Sequence, residues 1–286
     1  MKKLYGTGVA LVTPFNEKEE IDFRALKKLL THTAKGVDYY VVMGTTGEAA
    51  TLSGEEKKAV LEFVKNNNPR KLPIVYGIGG NNTRQVIETI KSTDLAGVTA
   101  ILSVSPYYNK PTQEGIFQHF KAIAEASPIP VLLYNVPGRT SSNITAETTL
   151  RLAGVKNILG IKEASGNLEQ CMRIAKGKPK DFLLISGDDM FTAAFYAMGA
   201  AGVISVLANA YPLIFRRMKD AASEGKHTKA YAELYKLLEI NPLMYEESNP
   251  VGLKALLEQL GICSGVVRLP LAAASESLKR KIAATM

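Results

Sequence analysis

Apolar positions along this chain fall into two alternating rhythms. Short, nearly continuous runs rich in Val, Ile, Leu and Tyr occur at 6–15, 38–44, 72–80, 98–106, 129–137, 158–165, 182–189 and 202–209. Runs of this length, bounded by Gly, Pro, Asn and Asp, predict buried strands. Between them, apolar residues return every three or four positions, as in FRALKKLLTHTAKG, GEEKKAVLEFVKNN and EGIFQHFKAIAEAS. That spacing predicts amphipathic helices, and the interval 211–224 reads the same way. Strand and helix in regular alternation imply right-handed crossovers and a parallel sheet. Strands without polar alternation imply a sheet covered on both faces. Eight such units predict the α/β class and a (β/α)8 TIM barrel over residues 1–225. An open doubly wound sheet is the alternative, but no Gly-rich phosphate turn follows a strand here. After residue 225 the alternation stops. HTKAYAELYKLLEINPLMYEES, NPVGLKALLEQLG and LAAASESLKRKIAAT read as helices. Residues 226–286 are therefore expected to form a helical C-terminal addition packed on the barrel.

Barrels of this kind place chemistry at the C-terminal ends of their strands. Each predicted strand end here carries an unusual group: MGTTGE after strand 2, SPYYNKP after strand 4, YNVPGRT after strand 5, Lys162 in strand 6 and SGDD after strand 7. Lys162 is the least comfortable of these, because it follows the apolar run ILGI in a strand with no solvent face. A lysine at a strand end can snorkel to water. The functional alternative is a desolvated amine, its pKa lowered, that attacks a carbonyl to form a Schiff base.

Composition narrows the chemistry. The chain has 286 residues, 46% of them hydrophobic, a net charge of +8, three His and two Cys. No run of five like charges marks a nucleic-acid face, and the basic residues sit mostly in amphipathic helical stretches. A positive field of this kind also suits anionic metabolites. Cys171 and Cys263 belong to no motif, which favours a reducing compartment and a cytoplasmic location. MKKLYGTGVALVTPF reads as a first strand rather than a signal peptide. No apolar run reaches the length of a membrane span. His32, His119 and His227 have no metal-ligand spacing, and neither a Walker A nor a dinucleotide fingerprint is present. No cofactor is implied, and acid–base work falls to Lys and Tyr.

Tyr134 ends the run VLLY on the neighbouring strand and is either a core aromatic or a proton-moving phenol. In GTTGE, Thr45 and Thr46 with flanking glycines make a loop whose N–H groups suit a carboxylate, or an ordinary turn with a Thr helix cap. Arg139, just after a Pro-Gly turn, can grip a carboxylate bidentately or point to water. Tyr107 and Tyr108, between Pro106 and Pro111, are site groups or interface anchors. Asp188 and Asp189 read as a helix cap and dipole partner rather than a metal site.

Together GTTGEAATL, SPYYNKPTQEG, LYNVPGRT, GIKEASGN and LLISGDD resemble, in order and from about residue 4 to 275, the dihydrodipicolinate synthase family of pyruvate-dependent Schiff-base lyases and aldolases. The resemblance implies that Lys162 forms an imine with pyruvate and that Tyr134 exchanges protons with it. It implies that Thr45 and Thr46 hold the pyruvate carboxylate, with Thr45 linking Tyr134 to a Tyr108 supplied by a neighbouring subunit. Arg139 would hold the carboxylate of L-aspartate-4-semialdehyde, and Gly187 and Ile204 would lend backbone groups. The implied product is 4-hydroxy-tetrahydrodipicolinate, the entry to lysine and diaminopimelate synthesis. The implied assembly is a homotetramer built as a dimer of dimers. Arg139 in GRT favours this activity over the related sugar-acid lyases. A catalytically silent binding barrel is the third reading, against which the grouping of strand-end residues argues. Where regulated members bind lysine, the matching positions here are Ala49, Gly54, Lys57, Asn81 and Gln85 beside Tyr107, and they depart from the Ser, His and Glu of sensitive enzymes. Lys57 repels an ammonium ligand and Gln85 lacks charge to hold it, so weak or absent lysine inhibition is expected.

Overall fold

A computed structural model describes residues 4–286, so the first three residues of the predicted barrel segment lie outside the described residues. Eight parallel strands close on themselves in chain order. They are β1 (Gly6–Ala10), β2 (Tyr39–Val42), β3 (Ile74–Gly77), β4 (Ala100–Val104), β5 (Val131–Asn135), β6 (Ile158–Glu163), β7 (Leu183–Ser186) and β8 (Gly202–Ser205). The helices between and after them are α1 (Phe23–Thr33), α2 (Gly54–Asn67), α3 (Thr83–Ser92), α4 (Gln113–Ala126), the short α5 (Pro137–Thr140), α6 (Ala146–Ala153), α7 (Leu168–Gly177), α8 (Thr192–Ala197) and α9 (Pro212–Ser223). Beyond the barrel follow α10 (His227–Tyr235), α11 (Ile240–Leu243), α12 (Val251–Gln259) and α13 (Glu276–Ala283). No described helix is long and apolar enough to cross a membrane.

Strand alternation divides the apolar residues between two cores. Ala10, Tyr39, Val41, Val75, Leu102, Leu132, Tyr134, Ile185 and Ile204 fill the barrel interior. Their strand neighbours, such as Val9, Tyr40, Val42, Ile74, Ile101, Leu133, Ile161 and Leu184, face the helices. This is why the strands read as continuous apolar runs: both faces are buried. Short polar side chains start the helices. Ser53 and Glu56 form a reciprocal capping box on α2, and Asp22, Asn82, Thr112, Thr145 and Asn167 cap α1, α3, α4, α6 and α7.

All eight expected strands form, but each is shorter than its apolar run, mostly at the C-terminal end. Strand 1 stops at Ala10 rather than residue 15, and strand 2 at Val42 rather than residue 44. Residues 11–15 and Met43 stay buried while the backbone turns over the barrel mouth, so hydrophobicity continues where hydrogen-bonded pairing has ended. The helical reading of 227–248 also divides, into α10 and α11 separated by turns at 236–239. Pro242 accounts for the break, since it cannot donate to the carbonyl of Leu238 and its ring clashes there.

Closure of the sheet depends on glycine where β8 meets β1. Gly202 has φ +152 and pairs in register with Gly6, and a Cβ placed on it would lie 1.8 Å from the Gly6 carbonyl oxygen. No rotamer relieves a backbone clash. Gly202→Ala should therefore lower stability by at least about 1–3 kcal/mol, the usual range for overpacking. Gly54→Ala, where a Cβ meets nothing within 4 Å at the start of α2, should change it by less than about 1 kcal/mol and in the stabilising direction. Chemical denaturation of both variants measures the contrast.

Candidate active site

Alternation along β6 sends Lys162 into the barrel and Glu163 out of it. Lys162 is in register with Tyr134 on β5 and Ile185 on β7, and it is 6% exposed. Its Nζ stands 4.1 Å from the centroid of the Tyr134 ring. Among the described residues it forms no ion pair, so the wall around the amine offers a ring face rather than a carboxylate. Gly187 makes room for it: a Cβ there would fall 3.0 Å from Lys162 Cε and 2.6 Å from Ala164 Cβ. On the other face, the buried Glu163 carboxylate accepts from Asn135 Nδ2 at 3.0 Å, Gln170 Nε2 at 3.0 Å and the Ser165 amide at 2.7 Å. Three donors thus lock the strand end on which Lys162 stands. Ile204 belongs to the same interior cluster as Tyr134.

After β2 the chain makes a tight turn, Thr45–Gly47, in which Thr45 is exposed and Thr46 is 3% exposed. Thr13 Oγ1 donates to the Gly47 carbonyl at 2.6 Å and holds the turn over the barrel. Neither threonine caps α2; Ser53 does. Asn249 Nδ2 donates to Thr46 Oγ1 at 3.1 Å. With its oxygen so engaged, the Thr46 hydroxyl keeps its own hydrogen for another acceptor. Arg139 lies on α5, exposed, and its Nη2 reaches the Asn249 carbonyl at 3.5 Å.

Thr45, Tyr134 and Arg139 line one cavity of about 550 Å³, together with Ala49, Lys57, Asn81, Gln85 and Tyr107. Lys162, Thr46, Gly187 and Ile204 are not in its lining; Lys162 and Ile204 stand on the barrel's inner wall. Tyr108 is also absent from the cavity. It is 89% exposed, with φ 73 in the left-handed region. Its loop is pinned by Asn81 Nδ2 donating to the Tyr107 carbonyl at 3.1 Å and Asn109 Nδ2 donating to the Asn81 carbonyl at 3.0 Å. No hydrogen bond joins Tyr134, Thr45 and Tyr108 within the described residues of this chain.

Sequence reasoning misses three residues near this site. Asn249 carries no signal of its own, and neither does Lys254, which is wholly buried on α12 with its Nζ 2.5 Å from the Glu48 carboxylate. The third is Asp189, whose expected role is a dipole partner at a helix start. Asp188 does cap, accepting from the Met190 amide at 2.9 Å. Asp189 instead reaches across to the end of β8 and accepts from the Leu207 amide at 2.8 Å and the Val206 amide at 3.2 Å. Nothing local marks that role, because the two amides are 17 and 18 residues away. Two histidines make structural contacts: His32 Nε2 lies 2.9 Å from the Ala210 carbonyl oxygen, and His119 Nδ1 lies 2.8 Å from Thr83 Oγ1, with burial pushing the His119 pKa down to about 4.

Burial pushes the Asp189 carboxyl up to about 6, against amide hydrogen bonds that act in the opposite direction. In the unfolded chain the same group titrates near 4. The fold therefore holds this proton more tightly, and Asp189 erodes stability as pH rises from about 4 to about 6. Each pH unit separating the folded from the unfolded titration is worth about 1.4 kcal/mol. Asp189→Asn keeps an acceptor toward β8 and removes the ionisation. Its stability relative to the parent should improve by about 2–3 kcal/mol between pH 4 and pH 7, measured by denaturation at both ends of that range.

The sequence profile of the dihydrodipicolinate synthetase family matches residues 3–286. A 4-hydroxy-tetrahydrodipicolinate synthase of Cytophaga hutchinsonii is 55% identical over 283 residues, covering 99% of this chain and 95% of its own. The fold superposes with a TM-score of 0.95 on the chloride-inhibited dihydrodipicolinate synthase of Acinetobacter baumannii, solved in complex with pyruvate, at 37% identity and covering 99% of this chain and 97% of that one. A synthase from Cyanidioschyzon merolae, solved with lysine bound, matches with a TM-score of 0.94 at 39% identity, covering 99% and 97%. A closed eight-stranded barrel with a buried lysine at its catalytic end and likeness over nearly its whole length lead to one assignment: the chain belongs to the dihydrodipicolinate synthetase family.

Proposed function

We propose that this chain condenses pyruvate with L-aspartate-4-semialdehyde through a Schiff base on Lys162 and releases 4-hydroxy-tetrahydrodipicolinate. The observation that carries the reading is the Lys162 amine, enclosed at the catalytic end of the barrel against the Tyr134 ring at 4.1 Å with no ion-pair partner among the described residues. The pyruvate carboxylate sits on the Thr45–Thr46 turn, where the Thr46 hydroxyl is oriented by Asn249. The Lys162 amine adds to the keto carbon, and water leaves as the imine forms. The imine draws electrons from the methyl group, Tyr134 helps move the proton, and the resulting enamine carbon attacks the aldehyde of the second substrate. Arg139 holds that substrate's carboxylate at the cavity mouth. The substrate's amino group then displaces Lys162 by transimination and closes the ring. Holding both reactants by their carboxylates supplies the orientation the condensation needs.

The outward Tyr108 supports an assembly in which it enters a neighbouring subunit's site, within a cytoplasmic homotetramer of two dimers. The pyruvate complex of the Acinetobacter relative supports the first substrate.

Incubation with pyruvate and borohydride should give a stable adduct on Lys162, located by peptide mass spectrometry and lost in Lys162→Ala. With a coupled reductase, L-aspartate-4-semialdehyde should then drive turnover, while sialic and sugar acids should release no pyruvate. An adduct elsewhere, or pyruvate released from sugar acids, refutes the reading.

Lysine inhibition should be weak or absent. Lys57 and Gln85, at the positions the resemblance aligns with a lysine pocket, line the same cavity as Tyr134; Lys57 opposes an ammonium ligand there and the neutral Gln85 supplies no counter-charge. Lysine titrated into the assay should leave the rate unchanged below about 0.1 mM, since inhibition there needs more than about 5 kcal/mol of binding.

A further inference from the structure

We propose that the buried Glu48–Lys254 ion pair is a positioning device for the carboxylate-binding turn, and so sets the enzyme's affinity for its keto acid from the C-terminal helices. The inference rests on the reading that Thr45–Thr46 holds the pyruvate carboxylate.

Glu48 closes the turn. Its amide donates to the Thr45 carbonyl at 3.1 Å, and its backbone is left-handed at φ 53. Its side chain is 1% exposed; Oε1 forms an ion pair with Lys254 Nζ at 2.5 Å, and Oε2 accepts from the Arg268 amide at 3.1 Å. Lys254 is fixed in turn. Its Nζ donates to the Val266 carbonyl at 2.8 Å and stands 4.0 Å from the Phe15 ring centroid. Arg268 covers the same ring at 4.4 Å and pairs with Glu56 at 2.6 Å. Desolvation pulls the Lys254 pKa below the usual ammonium range, and Glu48 pulls it back up.

A pair serving stability alone could sit anywhere in the core. This one joins a three-residue turn to a helix, two residues from the buried Thr46. The same segment grips the turn a second time. Asn249, just before α12, donates to Thr46 Oγ1, and the Lys254 amide closes the first helical turn on the Pro250 carbonyl at 2.8 Å. So short a turn cannot absorb a displacement of Glu48 without moving the Thr46 hydroxyl. A displacement of about 1 Å in a positioning group can cost about a hundredfold in rate.

The test compares Lys254→Met, Glu48→Gln and the double E48Q/K254M with Thr46→Val as reference, in steady-state assays of the full chain with both substrates. Thr46→Val and each folded pair variant should raise the KM for pyruvate at least tenfold and the KM for the semialdehyde less than threefold. The Lys162 borohydride adduct should still form at saturating pyruvate. The double variant leaves neither charge buried alone, which keeps the comparison available if the singles fail to fold. A raised KM in Thr46→Val with every folded pair variant within twofold of the parent overturns the inference. An unchanged KM in Thr46→Val overturns the carboxylate reading of the turn and this inference with it. In the parent protein, pyruvate should slow amide exchange at 251–257 several-fold, because coupling is reciprocal; if no variant folds, unchanged exchange there overturns the proposal.

Discussion

Closing eight parallel strands into a barrel leaves one narrow interior, and everything else in this molecule follows from how that space is shared. Alternate residues of every strand must enter it, so large side chains require small ones opposite. A Cβ on Gly8 would lie 2.2 Å from the Tyr39 ring, and one on Gly160 would lie 2.2 Å from the Leu183 carbonyl. At the C-terminal end the same rule admits Tyr134 and Lys162 side by side in register, with Gly187 leaving the space the lysine stem needs. A buried amine is placed here by strand alternation and enclosed by packing. The outward neighbour Glu163, tied to Asn135, Gln170 and Ser165, prevents the strand end from slipping.

The C-terminal helices solve a different problem. The barrel mouth is made of turns, and turns are where a scaffold is least rigid. Here one of them is held from above by an ion pair whose members are both buried. Such pairs are poor stabilisers, since replacing both by apolar residues is often neutral, while removing one alone costs about 3–5 kcal/mol. What a buried pair does well is enforce a single geometry. Glu48 has no water to turn to, so the turn it belongs to has one place to be. Phe15, carrying Lys254 on its ring and Arg268 beside it, extends the grip to the loop after β1.

The parts of the fold that are legible in sequence are those carried by local pattern. Eight apolar runs and the helices between them can be read because burial on two faces leaves few polar residues in the strands, mostly at their ends, and among these Lys162 stands out as a cation. Pattern overruns the strand ends because residues such as Val12 and Met43 remain buried after the ladder stops. Asn249 and Lys254 are illegible for a physical reason. Asn249 meets Thr46 across 203 residues, and nothing in the composition of NPVGLKALLEQLG distinguishes a core lysine from a solvated one. Asp189 looks like its neighbour Asp188, and only the closed barrel brings the Val206 and Leu207 amides, just after β8, within its reach.

Tyr108 is a case where conformation argues for assembly. A non-glycine residue in the left-handed region costs about 1–2 kcal/mol, and an aromatic ring left in water recovers none of it by burial. Yet the loop is not slack: the Asn81 side chain donates to the Tyr107 carbonyl, and the Asn109 side chain donates back to the Asn81 carbonyl. An exposed tyrosine fixed in an unfavourable conformation is consistent with the proposed assembly, in which a second copy would cover it. Tyr107 lines this chain's own cavity, while Tyr108 is absent from it and is 89% exposed. Adjacent tyrosines thus differ in placement, one at the cavity and one in solvent, and the proposed proton path through Tyr134 and Thr45 would need its last member from a second copy of the chain.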